Sequence, residues 1–132
     1  MVFTRSMLFG FCLVCTALSG CEREISFAAD VQPILTANCV VCHSGTAEGN
    51  STSGLSLIDY DSVMRGTRFG PVVTPGSGVS SNLYLVVAHK TSEEIHMPPH
   101  GDKSLAKGRG TSLTENEIET IRTWIDQGAR DN

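Results

Sequence analysis

Residues 38–45 read "NCVVCHSG", and the pair Cys39 and Cys42 with His43 directly behind decides which fold the chain can adopt. Two thiols one turn apart followed by an imidazole admit three chemistries: a redox disulfide, half of a zinc site, or a covalent attachment point for haem. Each demands different partners elsewhere in the sequence.

A zinc site would have to recruit His96 and His100. Yet 53 residues separate Cys42 from His96, against the roughly 12–15 of a zinc finger. Met97, Pro98 and Pro99 also stand between the two histidines and cannot hold them on one helical face. A thioredoxin-like pair opens a helix after a buried strand. Here the pair follows a helical stretch, "FAADVQPILTAN", and no βαβ pattern surrounds it. Haem attachment remains. Thiols so spaced add to the two vinyl groups as thioethers, and His43 becomes the proximal iron ligand.

The first residues, "MVFTRSMLFGFCLVCTALSGC", support that reading. Arg5 precedes a 12-residue apolar run from Met7 to Leu18, shorter than the ~20 residues of a membrane span and laid out as an export signal. The closing "LSGC" resembles a bacterial lipobox, in which cleavage precedes a lipidated cysteine. Residues 1–20 are therefore expected to be a lipoprotein signal peptide, Cys21 the lipidated residue, 21–26 a tether and 27–132 the folded domain. Cys12 and Cys15 would leave with the signal, so no disulfide framework remains. The processed chain would carry nine basic residues against 14 acidic ones, a net charge of −5. That balance argues against nucleic acid as a partner. The localisation expected is periplasmic, or otherwise extracytoplasmic, at a membrane held through the lipid on Cys21.

The domain reads as helical with long loops. Phe27, Val31, Ile34 and Leu35 share one helical face, and Pro33 suits a first turn. Residues 44–54 form a polar glycine-rich stretch without periodicity, expected to be a loop. Tyr60 to Arg65 suits a short helix stopped by Gly66, with Asp59 at its start. "SSNLYLVVAHK" is read as a further helix despite its paired valines. In "SLTENEIETIRTWIDQGA", Thr114 and Glu117 make a capping box, with Leu113 and Ile118 as the staple across it. Ile118, Ile121, Trp124 and Ile125 form its apolar stripe, and Gly128 ends it.

A six-coordinate iron needs a second ligand. After processing two methionines remain: Met64, in a helix where core filling is its ordinary role, and Met97, in the proline-braced "HMPPHG". Met97 is the favoured distal ligand, with His89, His96 or His100 as rivals and an open position as the third possibility. The ordinary reading of the three histidines is as solvated side chains.

In order, "FAADVQPILTANCVVCH", "GLSLIDYDSVMRG", "MPP" and "LTENEIETIRTWIDQGA" resemble a small single-haem cytochrome c, more narrowly the planctomycete-type cytochrome c domain, from about Phe27 to Ala129. The resemblance implies an all-α cytochrome c fold whose first and last helices cross beside one covalently bound haem c, Phe27 or Ile34 meeting Trp124 or Ile121. It implies Cys39 and Cys42 as thioether sites, His43 and Met97 as iron ligands, and the carbonyl of Pro71 or Pro75 as acceptor for the other nitrogen of His43. The function it implies is one-electron transfer between redox partner proteins, without catalytic turnover of its own. The alternative is a haem-based sensor or gas-binding module with a displaceable distal ligand. Lys103, Lys107 and Arg109 form a basic cluster that would steer an acidic redox partner if it flanks the haem edge.

Overall fold

Ser26 starts the helical part of the chain. Its hydroxyl accepts the Ala29 N–H at 3.1 Å, while its own N–H donates to the Asp30 carboxylate at 2.8 Å. In the computed structural model, which describes residues 23–100, 103–104 and 110–132, the wide π-helical turn Phe27–Val31 runs directly into α1, Gln32–Asn38. Pro33 lies in the first turn of α1, directly after the wide π-helical turn. The expected signal peptide, Cys21, Lys107 and Arg109 lie outside the described residues.

Among the described residues four further helices follow: α2, Glu48–Ser53; α3, Tyr60–Arg65; α4, Asn82–Val87; and α5, Glu115–Asp126. Short 3₁₀ turns occupy Gly78–Ser80 and Glu93–Ile95. No strand forms among the described residues; a lone bridge joins Thr67 and Gly70. The all-α expectation therefore holds. Asp59 caps α3 by accepting the Ser62 N–H at 2.8 Å, and Gly66 ends it at φ +76°. Thr114 and Glu117 close the expected capping box on α5. The Thr114 backbone and side chain hold the Glu117 carboxyl below its ordinary range. This cap therefore stabilises above the ordinary carboxylate pKa and weakens as pH falls through the lowered value.

One element departs from expectation. The stretch read as a loop contains α2, which is polar all round and so carries no periodic signal. Tertiary contacts hold it instead: Asn50 N–H donates to the Cys42 carbonyl at 3.1 Å, and the Arg68 guanidinium reaches the Ser51 carbonyl at 2.7 Å.

The core joins the two ends of the domain. Phe27, Val31 and Leu35 bury one face of the first helical stretch, and Ile121, Trp124 and Ile125 bury one face of α5. The Phe27 and Trp124 rings stand 5.3 Å apart, and Tyr60 meets Phe27 edge-on at 5.3 Å, in the offset and T-shaped arrangements that aromatic quadrupoles favour. Their polar handles are satisfied: Tyr60 OH donates to the Ala129 carbonyl at 2.9 Å and Trp124 Nε1 to the Arg130 carbonyl at 2.9 Å. This packing fixes α1, and with it the point at which the chain reaches Cys39.

Candidate functional site

Cys39 continues the hydrogen bonding of α1, its N–H donating to the Leu35 carbonyl at 2.8 Å. The chain then folds over itself, because the N–H groups of Cys42 and His43 both donate to the Cys39 carbonyl, at 3.0 and 2.9 Å. Leu57 N–H pins the His43 carbonyl at 2.9 Å from the far side. The motif is thus a single tight turn clamped at both ends. Its three side chains line one cavity of about 550 Å³, within the roughly 300–1,000 Å³ of ligand-holding clefts.

The opposite wall comes from the 97–99 segment. Met97 N–H donates to the Val86 carbonyl at 3.2 Å, tying the segment to α4. Pro98 and Pro99 are buried behind it, and Gly110 N–H donates to the Pro99 carbonyl at 2.9 Å. A Cβ on Gly110 would collide with Pro98, so only glycine allows this approach. Met97 lines the cavity. Met64 does not; it packs against the core from α3, as its ordinary role requires.

These residues fit a large, flat, mostly apolar group that carries a metal. Leu55, Leu57, Val72, Leu83 and Val87 wall the cavity, and Val41 and Phe69 stand at its edge 77% and 82% exposed. Both cysteines are free. Burial, then the neighbouring Cys42 and Glu117, pushes the Cys39 thiol up to about 11, opposite to the depressed values of redox-active pairs. Burial also lowers the His43 pKa, with the Leu55 backbone acting in the other direction. The ring is therefore neutral near pH 7 and has a lone pair to give. Its Nδ1 is buried without a hydrogen-bond partner, so neither Pro71 nor Pro75 supplies the expected carbonyl.

Gly49 of α2 sits against this imidazole. A Cβ there would come within 2.8 Å of both the Cys42 carbonyl oxygen and His43 Cε1. Gly49→Ala is expected to displace the ring and cost about 1–3 kcal/mol, as overpacking does. Urea denaturation with the cofactor spectrum as probe measures it.

The histidines differ from expectation. His89, His96 and His100, read from the sequence as solvated, are partly buried and gathered together. His89 stacks on His96 at 4.4 Å between ring centroids and lies 4.6 Å from His100. None of them lines the cavity. One signal was available: three of the chain's four histidines fall between positions 89 and 100. In the expected basic cluster, Lys103 is engaged with Glu93 at 3.2 Å.

Residues 39–101 match the family model for planctomycete cytochrome c. That match covers 63 of the 132 residues and supports a cytochrome c-type domain there, a domain that implies haem as its cofactor. The chain is also similar to the alpha subunit of hydrazine synthase from Kuenenia stuttgartiensis, 28% identical over 83% of this chain and 16% of the relative. The solved Kuenenia stuttgartiensis hydrazine synthase superposes with a TM-score of 0.54 at 28% identity, covering 81% of this chain and 16% of that one. The chain thus spans about a sixth of the relative's length.

These matches correct one expectation. The resemblance implied no catalytic turnover, and no nucleophile–base or carboxylate pair offers itself in the sequence. The relatives are an enzyme. Missing side-chain catalysts say little about a haem domain, where the cofactor carries the chemistry and the protein supplies binding and orientation.

Proposed function

We propose that this chain is an extracytoplasmic single-haem c-type cytochrome domain of the planctomycete type that passes single electrons to and from redox partner proteins. In this reading Cys39 and Cys42 hold haem c through thioethers, His43 and Met97 are its axial ligands, and Cys21 carries a lipid that keeps the domain at a membrane. Haem c, when bound, supplies a reversible one-electron centre. The chain's own residues do the rest. The clamped turn orients His43, Pro98 and Pro99 steady Met97, and the apolar wall excludes water.

One observation carries the reading: two free thiols, a partly buried imidazole that burial keeps neutral, and a thioether line the same apolar cavity. A sulfur and a nitrogen donor are the set that raises a haem potential relative to two nitrogens. Val41 and Phe69 at the cavity's edge offer partners an apolar contact surface. Among the described residues no helix is long and apolar enough to cross a membrane. Membrane attachment is assigned to the lipid alone, and stable anchoring needs more than one acyl chain.

Intact mass and a pyridine haemochrome spectrum test the proposal together, on protein matured in a strain able to attach such cofactors. The expected mass is that of residues 21–132 plus one haem and a diacylglycerol-type modification, with a spectrum typical of two thioether links. A polypeptide without an added macrocycle would overturn the haem assignment. An unmodified Cys21 would overturn the anchor and leave the haem assignment standing.

A further inference from the structure

Helix α4 ends at Val87, and His89 just beyond its cap Ala88 reverses the chain in an unusual manner. Lys90 N–H reaches back to the Leu85 carbonyl at 2.8 Å, and His89 takes φ +54° to allow it. Glycine or asparagine would hold that left-handed position at lower cost. A histidine there turns its ring against His96 and His100, which arrive from either side of the Met97-Pro98-Pro99 segment.

The hydrogen bonds of this group fix where its lone pairs are. His96 Nε2 lies 3.1 Å from the Thr91 carbonyl, and His100 Nδ1 lies 2.9 Å from the Pro98 carbonyl. A carbonyl only accepts, so each of these nitrogens carries the proton. The opposite nitrogens, Nδ1 of His96 and Nε2 of His100, are left as acceptors. The Nε2 of His89 is buried with no partner. An imidazole whose second nitrogen donates to a backbone carbonyl is the arrangement that orients a metal ligand. One nitrogen from each of the three rings lies within 4.8 Å of the others. Zinc held at about 2.0–2.1 Å by three imidazoles sets them about 3.4 Å apart, so each nitrogen would move inward by about 0.8 Å, and the stacked rings of His89 and His96 would turn out of their stack to aim both lone pairs at one ion.

We propose that His89, His96 and His100 form a binding site for a divalent transition-metal ion of the zinc class, separate from the cavity lined by Cys39, Cys42, His43 and Met97. Imidazole donors suit zinc, copper and nickel, and three protein ligands leave a fourth position for water. The site would bridge the end of α4 and the 96–100 segment. A bound ion would thereby brace the backbone on both sides of Met97. The assignment does not depend on haem and stands or falls separately from it.

The test uses the full mature protein with its cofactor in place, stripped of loosely held metal and then competed for Zn²⁺ against a chromophoric chelator. One equivalent is expected to transfer to the protein, and the thermal midpoint to rise with Zn²⁺ and fall back on chelation. His96→Ala, His100→Ala and His89→Asn should each weaken uptake by more than the ~10–100-fold that even an outer partner of a metal ligand is worth. Asparagine at position 89 keeps the left-handed turn, and an unaltered far-ultraviolet dichroism spectrum with a cooperative zinc-free melt reports that each variant has folded. No stoichiometric uptake by the parent protein, or uptake that persists in all three folded variants, overturns the site.

Discussion

Replacing Cys39 and Cys42 together with alanine is expected to abolish retention of the cofactor through acid extraction and to leave a chain that no longer unfolds cooperatively. The first effect follows from the chemistry: without either thiol no thioether forms, and haem is held by ligation and contact alone. The second follows from packing. Cys39 is 8% exposed and belongs to the same buried cluster as Leu35, Leu55 and Leu57. The walls of the roughly 550 Å³ cavity need a filler to supply the dispersion contacts they otherwise lose. Domains of this size are stable by only ~5–15 kcal/mol. Loss of the cofactor should therefore loosen the tertiary packing while the helices persist, read as a broad calorimetric transition, retained far-ultraviolet dichroism and binding of an apolar dye. Each single variant should keep one covalent bond and show an altered pyridine haemochrome. A double variant that still melts sharply would show that the core is complete without the cofactor.

How much of this was legible depended on whether a residue's role is local. Asp59, Gly66, Thr114 and Glu117 act within three or four residues of themselves, so their caps could be read directly from sequence. The Phe27 to Trp124 contact joins distant positions, yet each lies on a periodic apolar face, and that periodicity announces burial. Helix α2 has no apolar face. It exists because Cys42 and Arg68 satisfy its backbone from outside, and no local pattern encodes that. The histidine trio was hidden for a related reason. His96 and His100 were judged against a helix, whereas a left-handed residue and two prolines bring them to His89 without one. The missing proline carbonyl at His43 is the converse case, a partner implied by resemblance that the packing around Gly49 does not provide.

Met97→Ala is expected to remove the methionine–iron charge-transfer band from the oxidised protein, lower its reduction potential and admit carbon monoxide rapidly to the reduced form. The reasoning starts with the alternatives. Met64 packs against the core outside the cavity and cannot stand in. His96 is next in sequence, but its Nε2 is held at the Thr91 carbonyl and its ring is stacked on His89, away from the cavity lining. The segment itself is braced by the Val86 and Gly110 hydrogen bonds, so truncating one side chain does not let the backbone bring in another donor. Loss of a thioether ligand shifts a haem potential downward. If both axial positions are filled as proposed, the parent protein should bind carbon monoxide slowly or not at all, and the contrast between the two proteins separates an electron carrier from a gas sensor. Fast stoichiometric binding by the parent would favour the sensor. An oxidised spectrum unchanged by Met97→Ala would move the distal ligand elsewhere, and His96→Ala, read by loss of the low-spin spectrum, would then ask whether the histidine cluster supplies it.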